Sequence, residues 1–218
     1  MTQIPDTLSG AAAAVIGLVA LAVVAPIAGW QFIRHGTVMA HEGAHAVFGS
    51  LAGRKVIGIV LNANASGLTT VEQGGCLGNL FFWFAGYAGP SLFGLGLAWF
   101  IHLGYGESVL WVTLFLLVVL ALLLRWSYGM ITVVVVGALV YLVAHYLPQG
   151  VQIVAVYFLA WLLLLSGVRR VLEVGLQSGD GKDLRQLTMI PLFIWWLLWL
   201  AVALGAVALG GKMLVMPS

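Results

Sequence analysis

Three ionisable residues stand close together in an apolar part of the sequence: His41, Glu42 and His45, within the stretch TVMAHEGAHAVFGS. They fit the pattern H-E-x-x-H. On a helix, positions i and i+4 share a face, so both histidine side chains can bind one metal ion. The glutamate then lies beside the metal, where it can act as general base toward a water molecule. The spacing therefore predicts a zinc site with hydrolytic chemistry.

A catalytic zinc site usually has three protein ligands and an open position, so a third ligand is needed. The extended pattern HExxHxxGxxH does not apply, because Phe48 and Leu51 occupy the positions of its glycine and third histidine. Glu72 falls in a polar segment where a solvated side chain is the simpler interpretation. His102 and His145 lie at the ends of apolar runs and are typical of interfacial residues. An aspartate further along the chain becomes the better candidate.

The composition defines the class of protein. The 218 residues are 62% hydrophobic and 7% charged, and the mean hydropathy is +1.10. Soluble domains contain about 25% charged residues, so this chain cannot cover a water-facing surface. Long apolar runs predict an all-α, polytopic integral membrane protein that contacts lipid. No basic run indicates a nucleic-acid partner, and the single cysteine excludes an internal disulfide.

The apolar runs predict about six to seven transmembrane helices, since a span needs about 20 residues. A β-hairpin insertion at about 56–73 follows the HEGAH helix, because VIGIVL and LTTV are β-type runs separated by the turn residues NANASG. A polar loop is expected at about 171–189, and residues 1–218 are expected to form a single domain. The predicted spans are 10–33, 37–52, 79–103, 108–124, 129–147, 150–170 and 190–211.

The placement of lysine and arginine predicts the orientation, because cytoplasmic loops carry an excess of both. With seven spans, Arg34 and Lys212 fall on one side. The other side contains the N-terminus, the hairpin and the polar loop, and it is predicted to be cytoplasmic. Its basic residues are Arg54, Lys55, Arg125, Arg169, Arg170, Lys182 and Arg185.

The polar loop supplies the third ligand on the same predicted side as the C-terminal end of the HEGAH helix. His45 precedes that end by six residues, or ~9 Å along a helix. Asp180 is favoured because Gly179 and Gly181 would let the backbone bend toward a metal. Asp183 remains the alternative ligand, although LRQL after it indicates an N-terminal helix cap.

These motifs together resemble the site-2 protease family of intramembrane zinc metalloproteases, in particular its small bacterial branch. The resemblance rests on HEGAH, the hairpin after it, AGYAGP at 85–90 and the late Asp-Gly followed by LRQLT. It implies that His41, His45 and Asp180 bind Zn²⁺ and that Glu42 is the catalytic base. It also implies a transmembrane protein or peptide as substrate, and a bacterial plasma membrane with the active site toward the cytoplasm.

Two other functions compete with an intramembrane protease. Phe93 stands where many members of that family have an asparagine, which favours a catalytically inactive protein that binds metal or a partner. A zinc transporter could also place an H-E-x-x-H-like motif in a span. Transporters usually add a second polar motif on a neighbouring helix, and none is visible in the central spans.

Overall fold

A computed structural model of the chain describes residues 7–125 and 128–216. It is built almost entirely of helices, with one small antiparallel hairpin, which confirms the all-α fold and the insertion after HEGAH. A short 3₁₀ turn at Gly175–Gln177 separates two of the helices. The elements are α1 (Gly10–Val24), α2 (Ile27–Leu51), β1 (Val56–Leu61), β2 (Gly67–Val71), α3 (Cys76–His102), α4 (Gly106–Leu123), α5 (Tyr128–Tyr146), α6 (Gln149–Val174), α7 (Gly179–Thr188) and α8 (Leu192–Val215).

Within the described residues, five helices are long and apolar enough to cross a membrane: α3, α4, α5, α6 with the turn that follows it, and α8. Helices α1 and α2 form a pair bent by 100°, which makes at most a sixth span. The number of candidate spans is therefore five, or six with this pair, against the six to seven expected. The chain is an integral membrane protein.

The first two predicted spans need a correction, because the break between them lies at Ala25–Pro26 and not at 34–36. Proline cannot donate a backbone hydrogen bond, so a new helix begins after it. Gly29 permits the sharp corner, since a Cβ there would lie 2.0 Å from the Val23 carbonyl oxygen. Arg34 and the whole HEGAH motif consequently belong to one continuous helix that turns away from α1.

Contacts along the bundle also revise the predicted sides. The Tyr157 hydroxyl accepts a hydrogen bond from the Leu8 backbone, and Gly10 lies against Val215 at the end of α8. The start of α1 is therefore at the end of the bundle opposite the hairpin, not on the hairpin side as expected. Trp30 donates to Glu173 at the other end of α6, which brings the first half of α2, and Arg34 with it, into the hairpin half. Lys212 stays opposite.

The polar stretch 171–189 is mostly helical, although the sequence predicts a loop. Helix α6 continues to Val174, and α7 begins after Ser178, whose side chain accepts a hydrogen bond from the backbone of Gly181. Leu184 on α7 is fully buried in a cluster with Trp199 of α8. The cap and this apolar contact explain why a sequence of low hydropathy forms a packed helix.

The core lies where α3 packs against α6 through small residues. Ser91 donates a hydrogen bond to the Leu164 carbonyl, and a Cβ at Gly94 would lie 2.6 Å from the Leu164 nitrogen. The two helices are also in close contact at Gly167, where a Cβ would lie 2.0 Å from Ser91 Oγ. Small residues let membrane helices approach closely, and dispersion contacts then stabilise the pair. This core fixes α3, which forms one wall of the site described below.

We expect Gly167→Ala to lower the free energy of unfolding by about 1–3 kcal/mol, because the added methyl group overpacks the contact with Ser91. Denaturant unfolding in detergent, followed by circular dichroism, measures the change. Gly137→Ala is the matched control, since no atom lies within 4 Å of a Cβ at that position of α5. Equal stability of the two variants would contradict the tight α3–α6 contact.

Candidate metal centre

Helix α2 brings His41, Glu42 and His45 into the interior of the protein. Their exposed fractions are 6%, 4% and 3%. The histidines lie one turn apart on the same face, and their Nε2 atoms are 3.2 Å apart. The structure therefore shows the shared face that the i, i+4 spacing predicts.

Helix α7 places Asp180 against this histidine pair. The carboxylate oxygen Oδ2 lies 3.3 Å from His41 Nε2 and 3.2 Å from His45 Nε2. One potential ligand atom from each of the three residues falls within 4.8 Å of the others, so the group could hold a metal ion. Of the two aspartates considered from the sequence, Asp180 is the one in this group.

The backbone around Asp180 differs from the expected bend. Gly179, Asp180 and Gly181 form the first turn of α7, and a Cβ at Gly179 would meet no atom within 4 Å. Gly181 has a packing role instead, because a Cβ there would lie 2.1 Å from the Leu192 side chain. The carboxylate thus sits at a helix N-terminus, where the helix dipole favours a negative charge.

The other acidic candidates lie elsewhere. Asp183 follows Asp180 on α7, is half-buried and is not in the metal-binding group. It is not the cap of α7 either, because Ser178 has that role. Burial and the nearby charge of Asp180 raise the pKa of Asp183. Glu72 is exposed and lies 3.6 Å from Lys55 Nζ, a contact between solvated side chains.

Hydrogen bonding fixes the orientation of His45. Its Nδ1 lies 2.7 Å from the Phe82 carbonyl oxygen, which can only accept, so Nδ1 carries the proton. Nε2 then presents a lone pair toward Asp180 Oδ2. Among the described residues, no donor reaches that oxygen with hydrogen-bond geometry. Two acceptor atoms that converge in a buried site are stabilised by a cation.

The charge state of Asp180 agrees with this arrangement. Burial alone would raise its pKa, but hydrogen bonds and charge from His41 and His45 in their protonated, metal-free form outweigh that effect and lower the pKa below its usual range. The carboxylate is therefore ionised at neutral pH. An ionised carboxylate beside two imidazoles is a donor set suited to a divalent metal.

Helix α3 forms a close wall behind the histidines at Gly86. A Cβ at this glycine would lie 2.5 Å from His45 Nε2 and 2.6 Å from His41 Cε1. On the same helix, the Tyr87 ring packs 4.6 Å from the His41 ring and the Phe82 ring packs 4.6 Å from that of His45. Gly86 was not predicted to belong to the site, although it lies within the motif AGYAGP.

Strand β2 of the hairpin packs against Glu42. Thr69 Oγ1 lies 2.7 Å from Glu42 Oε2 and 3.2 Å from the Glu42 carbonyl oxygen. A Cβ at Gly67 would lie 2.5 Å from Glu42 Oε1. Strand β2 thus contacts both carboxylate oxygens. Neither residue was predicted to belong to the site, since only the existence of the hairpin could be inferred.

One edge of the hairpin is covered. At the outer edge of β2, called the free edge below, no backbone hydrogen bond comes from another element among the described residues. Ile59 forms a parallel bridge with Leu124, and its carbonyl accepts from the Arg125 backbone. In an antiparallel pair, alternate residues bond to the partner strand. Since the Asn62 backbone donates to the Ser66 carbonyl, the residues of β2 whose backbone groups point away from β1 are Gly67, Thr69 and Val71.

Comparison with known proteins identifies a matching family. A family model described as Peptidase M50B-like matches residues 14–210. The matched segment contains α2 with HEGAH, the hairpin, α3 and α7 with Asp180. No curated protein and no solved structure matches the chain.

We expect Gly86→Ala to weaken zinc binding at least tenfold, because the methyl group would displace the histidine nitrogens from the Asp180 carboxylate. Zinc bound by the purified protein after equilibrium dialysis measures the effect. Gly96→Ala on the same helix is the control, since a Cβ there meets no atom within 4 Å. Undiminished zinc binding by Gly86→Ala would show that the close approach of α3 is not needed to align the histidines with Asp180.

Proposed function

The chain belongs to the Peptidase M50B-like family, the site-2 protease family, and from this premise we propose that it is an intramembrane zinc metalloprotease. It would hydrolyse peptide bonds of membrane-embedded protein or peptide substrates. The observation that carries the proposal is the convergence of His41, His45 and Asp180 beside the buried carboxylate of Glu42. In this proposal the whole chain, residues 1–218, acts as one domain.

The distances among the three side chains suit zinc. In a tetrahedral zinc site with bonds of about 2.0–2.1 Å, ligand atoms lie about 3.3 Å from one another. The separations among His41 Nε2, His45 Nε2 and Asp180 Oδ2 are 3.2 Å and 3.3 Å. We infer that these three residues are the protein ligands. Bound zinc supplies Lewis acidity, which polarises a carbonyl group and makes a water molecule more acidic.

Glu42 acts as the general base in this proposal. Its carboxylate accepts a proton from the attacking water and delivers it to the leaving nitrogen as the peptide bond breaks. The side chain follows His41 directly on α2, so it lies beside the metal-binding group. Its burial excludes bulk water and strengthens its electrostatic interaction with the reacting groups.

The free edge of β2 supports a way of holding the substrate. The carbonyl groups of a helical span are hydrogen-bonded, so the segment to be cleaved must first become extended. An extended segment can then pair with the exposed backbone groups of an edge strand. The edge at Gly67, Thr69 and Val71 runs past Glu42, which would bring the scissile bond to the base.

We also propose that the hairpin half of the protein faces the cytoplasm, as the positive-inside rule requires. The corrected positions of the basic residues strengthen this bias, because Arg34 now joins the hairpin half and Lys212 is alone at the other end. The host membrane in this proposal is a bacterial plasma membrane. Water for the reaction would enter from the cytoplasmic side.

We expect Glu42→Gln to retain zinc and to lose cleavage by a factor of about 10²–10⁴, the usual contribution of a general base. Asp180→Asn should lose both zinc and cleavage, whereas Asp183→Asn should retain both. Purified protein in proteoliposomes, tested for metal content and for cleavage of single-span substrates, distinguishes these results.

Four outcomes would contradict the proposal. Cleavage by Glu42→Gln at the wild-type rate would exclude the assigned base, and full zinc retention by Asp180→Asn would exclude the third ligand. Zinc binding without any cleavage would favour an inactive metal-binding protein. Zinc uptake into the vesicles would favour a transporter.

Val71→Pro tests the free edge of β2. Proline removes the backbone donor that points away from β1, so KM should rise about 2- to 10-fold, in line with about 0.5–1.5 kcal/mol for one hydrogen bond. Zinc content should not change. Val71→Ala, which keeps the backbone donor, is the control. An unchanged KM in Val71→Pro would reject substrate pairing at this edge.

A further inference from the structure

Thr69 makes a buried tertiary contact with Glu42. The exposed fraction of Thr69 is 6%, and its hydroxyl lies 2.7 Å from Oε2 of the glutamate. The two residues are 27 positions apart, on β2 and α2, so the contact depends on how the hairpin docks. A hydroxyl has one proton, and an ionised carboxylate only accepts. The short distance is typical of a charge-assisted hydrogen bond.

This hydroxyl is the hydrogen-bond donor that the described residues supply to the Glu42 carboxylate. A glutamate side chain has three rotatable bonds, and a general base is efficient only when its oxygen points at the proton to be transferred. The Thr69 bond fixes Oε2, while the bare backbone of Gly67 lies against Oε1. Strand β2 therefore restricts the positions of both carboxylate oxygens.

The same residue also belongs to the free edge of β2. The backbone groups of Thr69 point away from β1, while its side chain reaches Glu42. A substrate segment that pairs with this edge would thus be aligned by the backbone of Thr69, whose side chain aligns the carboxylate of Glu42. The distance between the substrate backbone and the Glu42 carboxylate is then set within a single residue.

We propose that Thr69 is a positioning residue, whose hydroxyl holds the Glu42 carboxylate in register with the free edge of β2. The inference rests on the proposed protease function. It adds that the hairpin contributes to the chemical step, and does more than hold substrate or close the mouth of the site.

The test compares Thr69→Val, Thr69→Ser and Thr70→Val in the full-length protein in proteoliposomes. Valine keeps the shape and removes the hydroxyl, whereas serine keeps the hydroxyl. Thr70 lies next on the same strand with an exposed side chain, so it is a matched control for the same substitution.

We expect Thr69→Val to lower kcat about 10- to 100-fold, the range for residues that orient a catalytic group. KM and zinc content should stay at wild-type values, Thr69→Ser should recover most of kcat, and Thr70→Val should match wild type.

A second measurement does not depend on turnover. In the metal-free protein, amide hydrogen exchange at Leu68 and Thr70, whose N–H groups point toward β1, should be faster in Thr69→Val than in wild type, because the bond that holds β2 on α2 is lost. Thr70→Val should leave this exchange unchanged. If Thr69→Val does not accumulate, Thr69→Ala serves instead, since it also removes the hydroxyl without adding bulk.

The outcomes separate this inference from the proposed function. Wild-type kcat in Thr69→Val, while Glu42→Gln is inactive, would overturn the positioning role and leave the protease function intact. A raised KM with unchanged kcat would also overturn it, because Thr69 would then act in substrate docking alone. Absence of cleavage by the wild-type protein would overturn both proposals.

Discussion

The close approach of α3 to α2 at Gly86 is the contact on which the rest of the site depends. Because this glycine has no side chain, the imidazoles of His41 and His45 lie directly against the α3 backbone. The Phe82 carbonyl, one turn earlier, can then accept the Nδ1 proton of His45. That bond directs Nε2 toward Asp180, as outer hydrogen bonds commonly do for metal-binding histidines. Any side chain at this position would separate the histidines from both partners.

Features that depend on local sequence could be predicted. The histidines of HEGAH share a helical face because of their spacing alone, and the hairpin follows from two β-type runs around a turn. The polar stretch that contains Asp180 was predicted on the same side as the C-terminal end of the HEGAH helix, and the flanking glycines favoured Asp180 over Asp183. The flanking glycines do not act as the predicted bend, since the cap at Ser178 and packing at Gly181 govern the local backbone.

Features that depend on tertiary approach could not be predicted. Thr69 and Gly67 carry no sequence signal of their own, because their roles arise only once β2 docks on Glu42. The charge of Arg34 suggested a loop at this position. Arg34 is tolerated within α2 because α2 is bent by 100° relative to α1 and stays in the hairpin half. Helix α7 was predicted as a loop because its hydropathy is low. The burial of Leu184, which stabilises the helix, depends on tertiary packing.

The location of Asp180 on α7, a ten-residue helix outside the candidate spans, has a thermodynamic consequence. A cation held by α2 and α7 would join parts of the chain that are more than half its length apart, and so act as a cross-link. This cross-link exists only in the folded state, because the three ligands converge only there. A ligand that binds only the folded state stabilises it by an amount that grows with the logarithm of its free concentration above Kd. Zinc supply would then influence how much folded protein persists in the membrane, in addition to whether each molecule can react.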